Sequence, residues 1–356
     1  MKRSSVFRLI AGCFPLFLLL GGCPEKKEEP ETAPEAKPAQ PAAAPEDLLP
    51  GNWESGVKAN LIKLVLAHGE GSSSFDPKDP PVAAIDFDNT CIRGDIGRAF
   101  YDWMVTERKI LFNDEIFAAL PGDKRAGIEK AWKKLKKLPE DQQAGSMELQ
   151  GFRKRMHQAY WSLCYDTPPE KCYPWQVRFY AGYTPDEVRD MAEGVMLAEL
   201  QKPLGSEPIK AGPDDQAPAI TSTGIRIHKE LKNLISLLQK RGFQVWIISA
   251  GPEWVVEGAA KSFGVKPDRV IGMRAKLAEG KLTSEIEPPP TFRKGKVEAI
   301  EKFIGKQPVL AVGDSWTDAE MLEYAGQALL IDRGYADLKK KAVDSGWWIQ
   351  PTFPVQ

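Results

Sequence analysis

The chain alternates buried apolar runs with amphipathic stretches. Val82-Ala83-Ala84-Ile85 is apolar with no alternation, as a strand covered on both faces requires. Phe243-Gln244-Val245-Trp246-Ile247-Ile248 and Val309–Val312 are of the same kind. Val270–Met273, Lys281–Ile286 and Ala328–Ile331 read as further strands, with Glu279-Gly280 as a hairpin turn. Helical spacing of apolar residues runs through Trp53–His68, Gly97–Arg108, Met147–Leu163, Thr221–Arg241, Glu253–Phe263, Gly295–Ile304 and Asp318–Ala325. Thr184-Pro185-Asp186-Glu187 is a capping box with proline at the first helical position, which starts a helix reaching about Leu200. Repeated strand–helix units imply an α/β fold with a doubly wound parallel sheet. The long stretch between the Val82 and Phe243 strands is expected to be helical throughout.

The amino-terminal residues follow another pattern. Lys2 and Arg3 precede an apolar run at Leu16–Leu20, and Leu20-Gly21-Gly22-Cys23 follows. A charged start, a short apolar core and small residues before a cleavage site make a secretory signal, too short to span a membrane. The Leu-Gly-Gly-Cys wording resembles the lipobox of bacterial lipoproteins, which implies a lipid on Cys23. Pro24-Glu25 is not the Asp-type retention signal of that class, so the outer membrane is favoured over the inner. Residues 24–50 are Pro, Ala, Glu and Lys for the most part, too poor in apolar surface to offset ordering entropy, and are expected to be a disordered tether. The expected organisation is then a signal peptide at 1–23, the tether at 24–50, an α/β core from 51–90 and 221–356, and a helical insertion at 91–220.

A formal net charge of −1 argues against a nucleic-acid surface. The lysines of Ala131–Leu138 alternate with apolar residues at helical spacing and form a solvated helix face. Cys91 beside the first acidic motif is a small buried residue. In an exported chain a disulfide can close between Cys164 and Cys172, but the sequence leaves the state of that pair open. A Cys-His metal site using His157 lacks paired ligand spacing, and His68 and His228 look like surface or packing residues.

Candidate chemistry sits where strands end or helices begin. Asp86-Phe87-Asp88-Asn89-Thr90 follows the first strand, and Ser249-Ala250-Gly251 follows a later one. Lys296 opens a helix, with Ile300 and Phe303 behind it at helical spacing, which favours it over Lys294. Gly313-Asp314-Ser315-Trp316-Thr317-Asp318 follows the Val309 strand. In a parallel sheet these ends share one edge, so the four elements can converge. Burying Asp86 and Asp88 unpaired would cost roughly several kcal/mol, and a divalent cation is the natural compensation.

These motifs, in this order, resemble those of the haloacid dehalogenase superfamily of phosphatases over roughly residues 82 to 335. The large insertion after the first motif is similar to the cap of the phosphoserine and phosphocholine phosphatases. The resemblance implies a Rossmann-like core and a helical cap inserted after the first catalytic strand. It implies that Asp86 attacks phosphorus and forms an aspartyl-phosphate, splitting one difficult step into two. Asp88 would protonate the leaving oxygen and later deprotonate water. Thr90, Ser249, Gly251 and Lys296 would bind the phosphoryl group, whose spreading negative charge calls for such donors. Mg²⁺ would be held by Asp86, the Asp88 carbonyl and Asp314, with Asp318 in support. Thr317 stands where many relatives have Asn.

Asp95 matches an acidic residue that contacts the substrate amine in the phosphoserine branch; it also fits a helix amino-terminal charge. The cap is aromatic (Trp103, Trp132, Tyr160, Trp161, Tyr165, Tyr173, Trp175, Phe179, Tyr180 and Tyr183), which suits either ordinary core or a cage for a quaternary ammonium ion. The expected substrate is a small phosphomonoester, with phosphocholine, phosphoethanolamine and phosphoserine as amine-bearing candidates. Rival readings are a broad exported acid phosphatase or nucleotidase, whose relatives lack so large an insertion, and a lipoprotein that binds a phosphorylated ligand without turnover. Dehalogenase chemistry is disfavoured by Asp88.

Overall fold

Eleven strands organise the described residues, 48–355, of the computed structural model. They are β1 (Val82–Ile85), β2 (Ile92–Arg93), β3 (Gly205–Ile209), β4 (Ala219–Thr223), β5 (Arg226–Ile227), β6 (Gln244–Pro252), β7 (Val270–Ala278), β8 (Lys281–Glu287), β9 (Leu310–Gly313), β10 (Gln327–Asp332) and β11 (Trp348–Pro351). Seven make one sheet in the order β11-β10-β9-β1-β6-β7-β8. Every neighbouring pair is parallel except the antiparallel β7–β8 hairpin. The fold is therefore the doubly wound α/β class expected, and β1 lies between β6 and β9.

The apolar run of β1 is explained by its place. Ala83 and Ile85 join one buried cluster, while Val82 and Ala84 join another. Successive side chains of a strand point to opposite faces, so a strand covered on both sides must be apolar at every position.

The insertion departs from the all-helical expectation. Ile92↔Ile227 and Arg93↔Arg226 form a short ladder at its base. β3 and β4 form an antiparallel ribbon. Thr221 thus lies in a strand, and the helix after it begins at Lys229, not at Thr221. The capping box is present as read: Thr184 and Glu187 bond reciprocally at the start of the helix Pro185–Gln201. A Cys164–Cys172 disulfide closes the turn that leads into the helix Pro169–Val177. Leu49, placed in the tether on sequence, is fully buried, so ordered packing begins before residue 51. The signal peptide, the lipobox at Cys23 and most of the tether lie outside the described residues. Among the described residues, no helix is long and apolar enough to cross a membrane.

Insertion and sheet are joined by three kinds of contact. Gly182 and Leu282 pair through Gly182 N–H to Leu282 O (2.9 Å), and Leu282 N–H donates to Tyr183 O (2.8 Å). The helix Pro185–Gln201 packs directly on the helix Glu253–Ala260: a Cβ added at Gly258 would lie 2.4 Å from the Arg189 carbonyl oxygen, so only glycine permits that approach. Arg189 meanwhile bonds the buried carboxylate of Glu257.

Burial pushes the Glu257 carboxyl from 4.5 up to about 7, with Arg189 pulling the other way. A raised folded value means a stability contribution complete below the unfolded value and lost as pH rises through the folded one. We predict that the resistance of the protein to urea weakens between pH 5 and pH 8. Glu257→Gln should flatten that slope by up to about 3 kcal/mol, each tenfold change in proton affinity being worth about 1.4 kcal/mol. Parallel slopes for the two proteins would refute the assignment.

Candidate active site

The carboxyl ends of β1, β6, β9 and β10 open onto one cavity of about 310 Å³. Asp86 continues the ladder of β1 by one bond, its N–H donating to Val312 O (2.9 Å). The chain then turns tightly about the carbonyl of the buried Phe87, which accepts from Thr90, Cys91 and Ile92, and Asn89 takes φ +60°. That turn aims Asp86 and Asp88 at the same space. Asp88 Oδ1 accepts from Ile96 N–H (2.7 Å) at the start of the helix Ile96–Thr106.

Lys296 is wholly buried, and its Nζ donates to Asp86 Oδ1 (2.7 Å), Asp318 Oδ1 (2.6 Å) and Ile248 O (2.6 Å). The competing Lys294 is exposed and faces Glu298 at 3.8 Å. An ammonium has three donors, so Lys296 has none left over, and it does not line the cavity. What the structure shows of this lysine is its bond to Asp86, behind the cavity wall. Asp318 is saturated too, since its Oδ2 accepts from Asp314 N–H (3.1 Å), Ser315 N–H (3.0 Å) and Ser315 Oγ (3.1 Å).

The other expected phosphate donors are placed less uniformly. Ser249 and Gly251 line the cavity, with Gly251 N–H donating to Ser249 Oγ (3.0 Å). Ser249 caps no helix: Pro252 precedes the helix Glu253–Ala260. Thr90 is buried with its hydroxyl donating to Asp314 Oδ1 (3.1 Å), so it braces Asp314 rather than facing the cavity. Asp95 both lines the cavity and caps the helix Ile96–Thr106, accepting from Arg98 N–H (2.8 Å). The helix-end reading of Asp95 is thus observed, and its carboxylate also borders the cavity.

Of the ten cap aromatics, only Tyr173 lines the cavity. Trp175 meets Phe179 edge to face at 4.7 Å and Phe100 stacks on Trp103 at 5.7 Å, as core. The rings at the mouth are instead Trp316 and Tyr335, from loops of the sheet domain. Sequence reasoning missed these two, together with Arg293 and Arg333. Arg333 donates to Asp314 Oδ2 at 2.8 Å. It immediately follows β10, and the rule that strand ends carry chemistry would have found it.

Burial is the main force on the acids. It pushes Asp86 up to about 6, with repulsion from Asp318 adding and Lys296 opposing. Burial and Asp95 hold Asp88 well above the carboxylate range, and burial and Asp86 do the same to Asp314. Burial alone would lower Lys296, but Asp318 and Asp86 outweigh it and keep the ammonium charged. Asp86, Asp314 and Asp318 offer oxygens within 4.8 Å of one another. Hard oxygen donors that repel one another fit a divalent cation, which would relieve that repulsion. With Asp318 saturated, Asp86 and Asp314 are the carboxylates suited to hold it.

Comparison with known proteins agrees with this geometry. The haloacid dehalogenase-like hydrolase family matches residues 152–323. A phosphorylcholine phosphatase of Pseudomonas aeruginosa is 25% identical over 295 residues, covering 74% of each chain. A phosphoserine phosphatase of Halobacterium salinarum is 30% identical over 155 residues, 41% of this chain and 73% of that one. The crystal structure of a protein of unknown function from Anaerococcus prevotii superposes with a TM-score of 0.74 at 24% identity, covering 85% of this chain and 93% of that one, and shares the fold. The chain belongs to the haloacid dehalogenase-like hydrolases.

Proposed function

We propose that the protein is a Mg²⁺-dependent phosphatase that hydrolyses a small amine-bearing phosphomonoester through an aspartyl-phosphate on Asp86. The observation that carries this is the pair of carboxylates Asp86 and Asp88 lining one cavity, with the buried Lys296 bonded to Asp86 from behind. Lys296 orients Asp86 by holding Oδ1, which leaves Oδ2 free to attack phosphorus. The P–O bond to the alcohol breaks as the new one forms, and Asp88 gives its proton to the departing oxygen. Its raised carboxyl suits that role, because an acid must be protonated at working pH. Water then attacks the acyl phosphate and Asp88 takes the proton back. Asp86, Asp314 and the Asp88 carbonyl would hold Mg²⁺, which supplies charge neutralisation for the phosphoryl oxygens.

The amine preference is supported by Asp95 in the cavity and by Tyr173, Trp316 and Tyr335 around it, since a carboxylate and aromatic faces both attract a cation. The names of the two relatives, phosphorylcholine and phosphoserine phosphatase, point the same way. We further propose that the chain is exported and held on a bacterial membrane by a lipid on Cys23. Detergent phase partition of the full chain and of Cys23→Ser would test that separately.

The decisive assay is phosphate release with Mg²⁺ from a panel of esters. Phosphocholine, phosphoethanolamine or phosphoserine should exceed simple sugar phosphates in kcat/KM by about tenfold or more, and Asp95→Asn should erase most of that gap. Equal turnover across the panel would end the amine assignment and leave a broad phosphatase.

A further inference from the structure

The loop before Lys296 is wound with little slack. Phe292 N–H donates to Pro290 O (3.0 Å), Gly295 N–H to Phe292 O (3.0 Å) and Lys296 N–H to Arg293 O (3.0 Å). A Cβ at Gly295 would fall 1.7 Å from the Pro290 carbonyl oxygen, so no other residue fits there. The winding leaves Arg293 at φ +50° and ψ −129°, a backbone conformation that residues with side chains rarely adopt. Arg293 N–H is tied to Thr317 O (2.8 Å) of the Asp314 loop, and Phe292 packs against Tyr173 of the insertion at 5.6 Å. Strain of this kind persists only where the surroundings over-determine it, and it gathers at binding sites.

The side chain so presented lines the catalytic cavity. Its charge stands out once the other cations are counted. Lys296 spends its three donors on Asp86, Asp318 and Ile248 O. Arg333, the other guanidinium of the cavity, is paired with Asp314. Among the described residues Arg293 has no carboxylate partner and makes no side-chain hydrogen bond. Asp86, Asp95 and Asp314 line the same space, and any negative charge they carry opposes a phosphate dianion.

We propose that Arg293 captures the phosphoryl group, donating to its non-bridging oxygens, and that the strained loop exists to hold the guanidinium over the cavity. A guanidinium presents its donors in a planar fork that matches two phosphate oxygens at once. The role expected of Lys296 from sequence is thereby divided. Lys296 orients the nucleophile, and Arg293 meets the substrate. This inference rests on the phosphatase reading of the cavity, but its test does not need turnover.

The probe is inorganic phosphate, titrated calorimetrically into the full chain with Mg²⁺. Arg293→Gly relieves the backbone, so its melting temperature should hold or rise, while phosphate affinity falls about tenfold or more, the size of a lost charge-assisted bond. Arg293→Lys keeps the charge without the fork and should fall between. Lys294→Gln removes a neighbouring exposed charge and should leave phosphate affinity unchanged. With the best ester, Arg293→Gly should raise KM by a similar factor and change kcat less. A folded Arg293→Gly protein that binds phosphate within twofold of the native one would overturn the proposal, as would a native protein with no measurable phosphate binding. Failure of every ester to react, with phosphate binding still lost in Arg293→Gly, would sink the phosphatase reading and leave this one standing.

Discussion

Asp86→Asn should abolish phosphate release while leaving the protein folded. The amide has nearly the shape of the carboxylate but cannot attack phosphorus. Removing a nucleophile outright costs on the order of 10⁴ to 10⁶ in kcat. Stability should change little. Asp318 remains to pair with Lys296 at 2.6 Å, and the carboxylate removed is one that burial already disfavours. Steady-state rates beside a thermal melt make the comparison. An Asp86→Asn enzyme within tenfold of the native rate would rule out the aspartyl-phosphate route.

Lys296→Met should be the most damaging single change to stability at the site. It leaves Asp86 and Asp318 buried with no cation between them. Breaking a buried pair from one side costs about 3–5 kcal/mol. In a chain this long that lowers the melting temperature by roughly 5–8 °C. The sign of the pH dependence follows from the same charges. Repulsion between the two carboxylates eases when one takes a proton, so the deficit should be larger at pH 8 than at pH 5. Lys294→Met should cost within about 0.5 kcal/mol, because that lysine is exposed and only loosely paired. Similar losses from both substitutions would mean that the buried network is not what holds this edge of the sheet.

The difference between what could and could not be read in the sequence has a physical basis. β1, β6 and β9 were legible because two-sided burial leaves unbroken apolar runs. The acidic motifs were legible because a carboxylate at the end of such a run needs a reason to be there. Lys296 was separable from Lys294 because its helix face is set by Ile300 and Phe303. β3 was missed because all but Ile209 of its residues are exposed, so burial imposes no pattern on it. The direction of the Thr90 hydroxyl was not legible either. It is chosen by Asp314, 224 residues away in the chain, and no local rule reaches that far. Arg293 was invisible for a similar reason: its backbone conformation belongs to a loop in which Gly295 lies against Pro290, an approach that only the fold creates.

The joint between the insertion and the sheet bears on how the enzyme selects. Backbone pairing at Leu282, the close approach at Gly258 and the Arg189–Glu257 bond hold the insertion on the sheet domain at separate points. A roof fastened in this way does not swing like a hinged door. Trp316, Tyr335 and Arg293 line the cavity beneath it, and with the joints fixed the cavity's width is expected to be the same before and after a substrate arrives. Such an enzyme works as a sieve, its upper size limit set by that width. New substrates would then be admitted by trimming Trp316 or Tyr335 rather than by loosening a hinge.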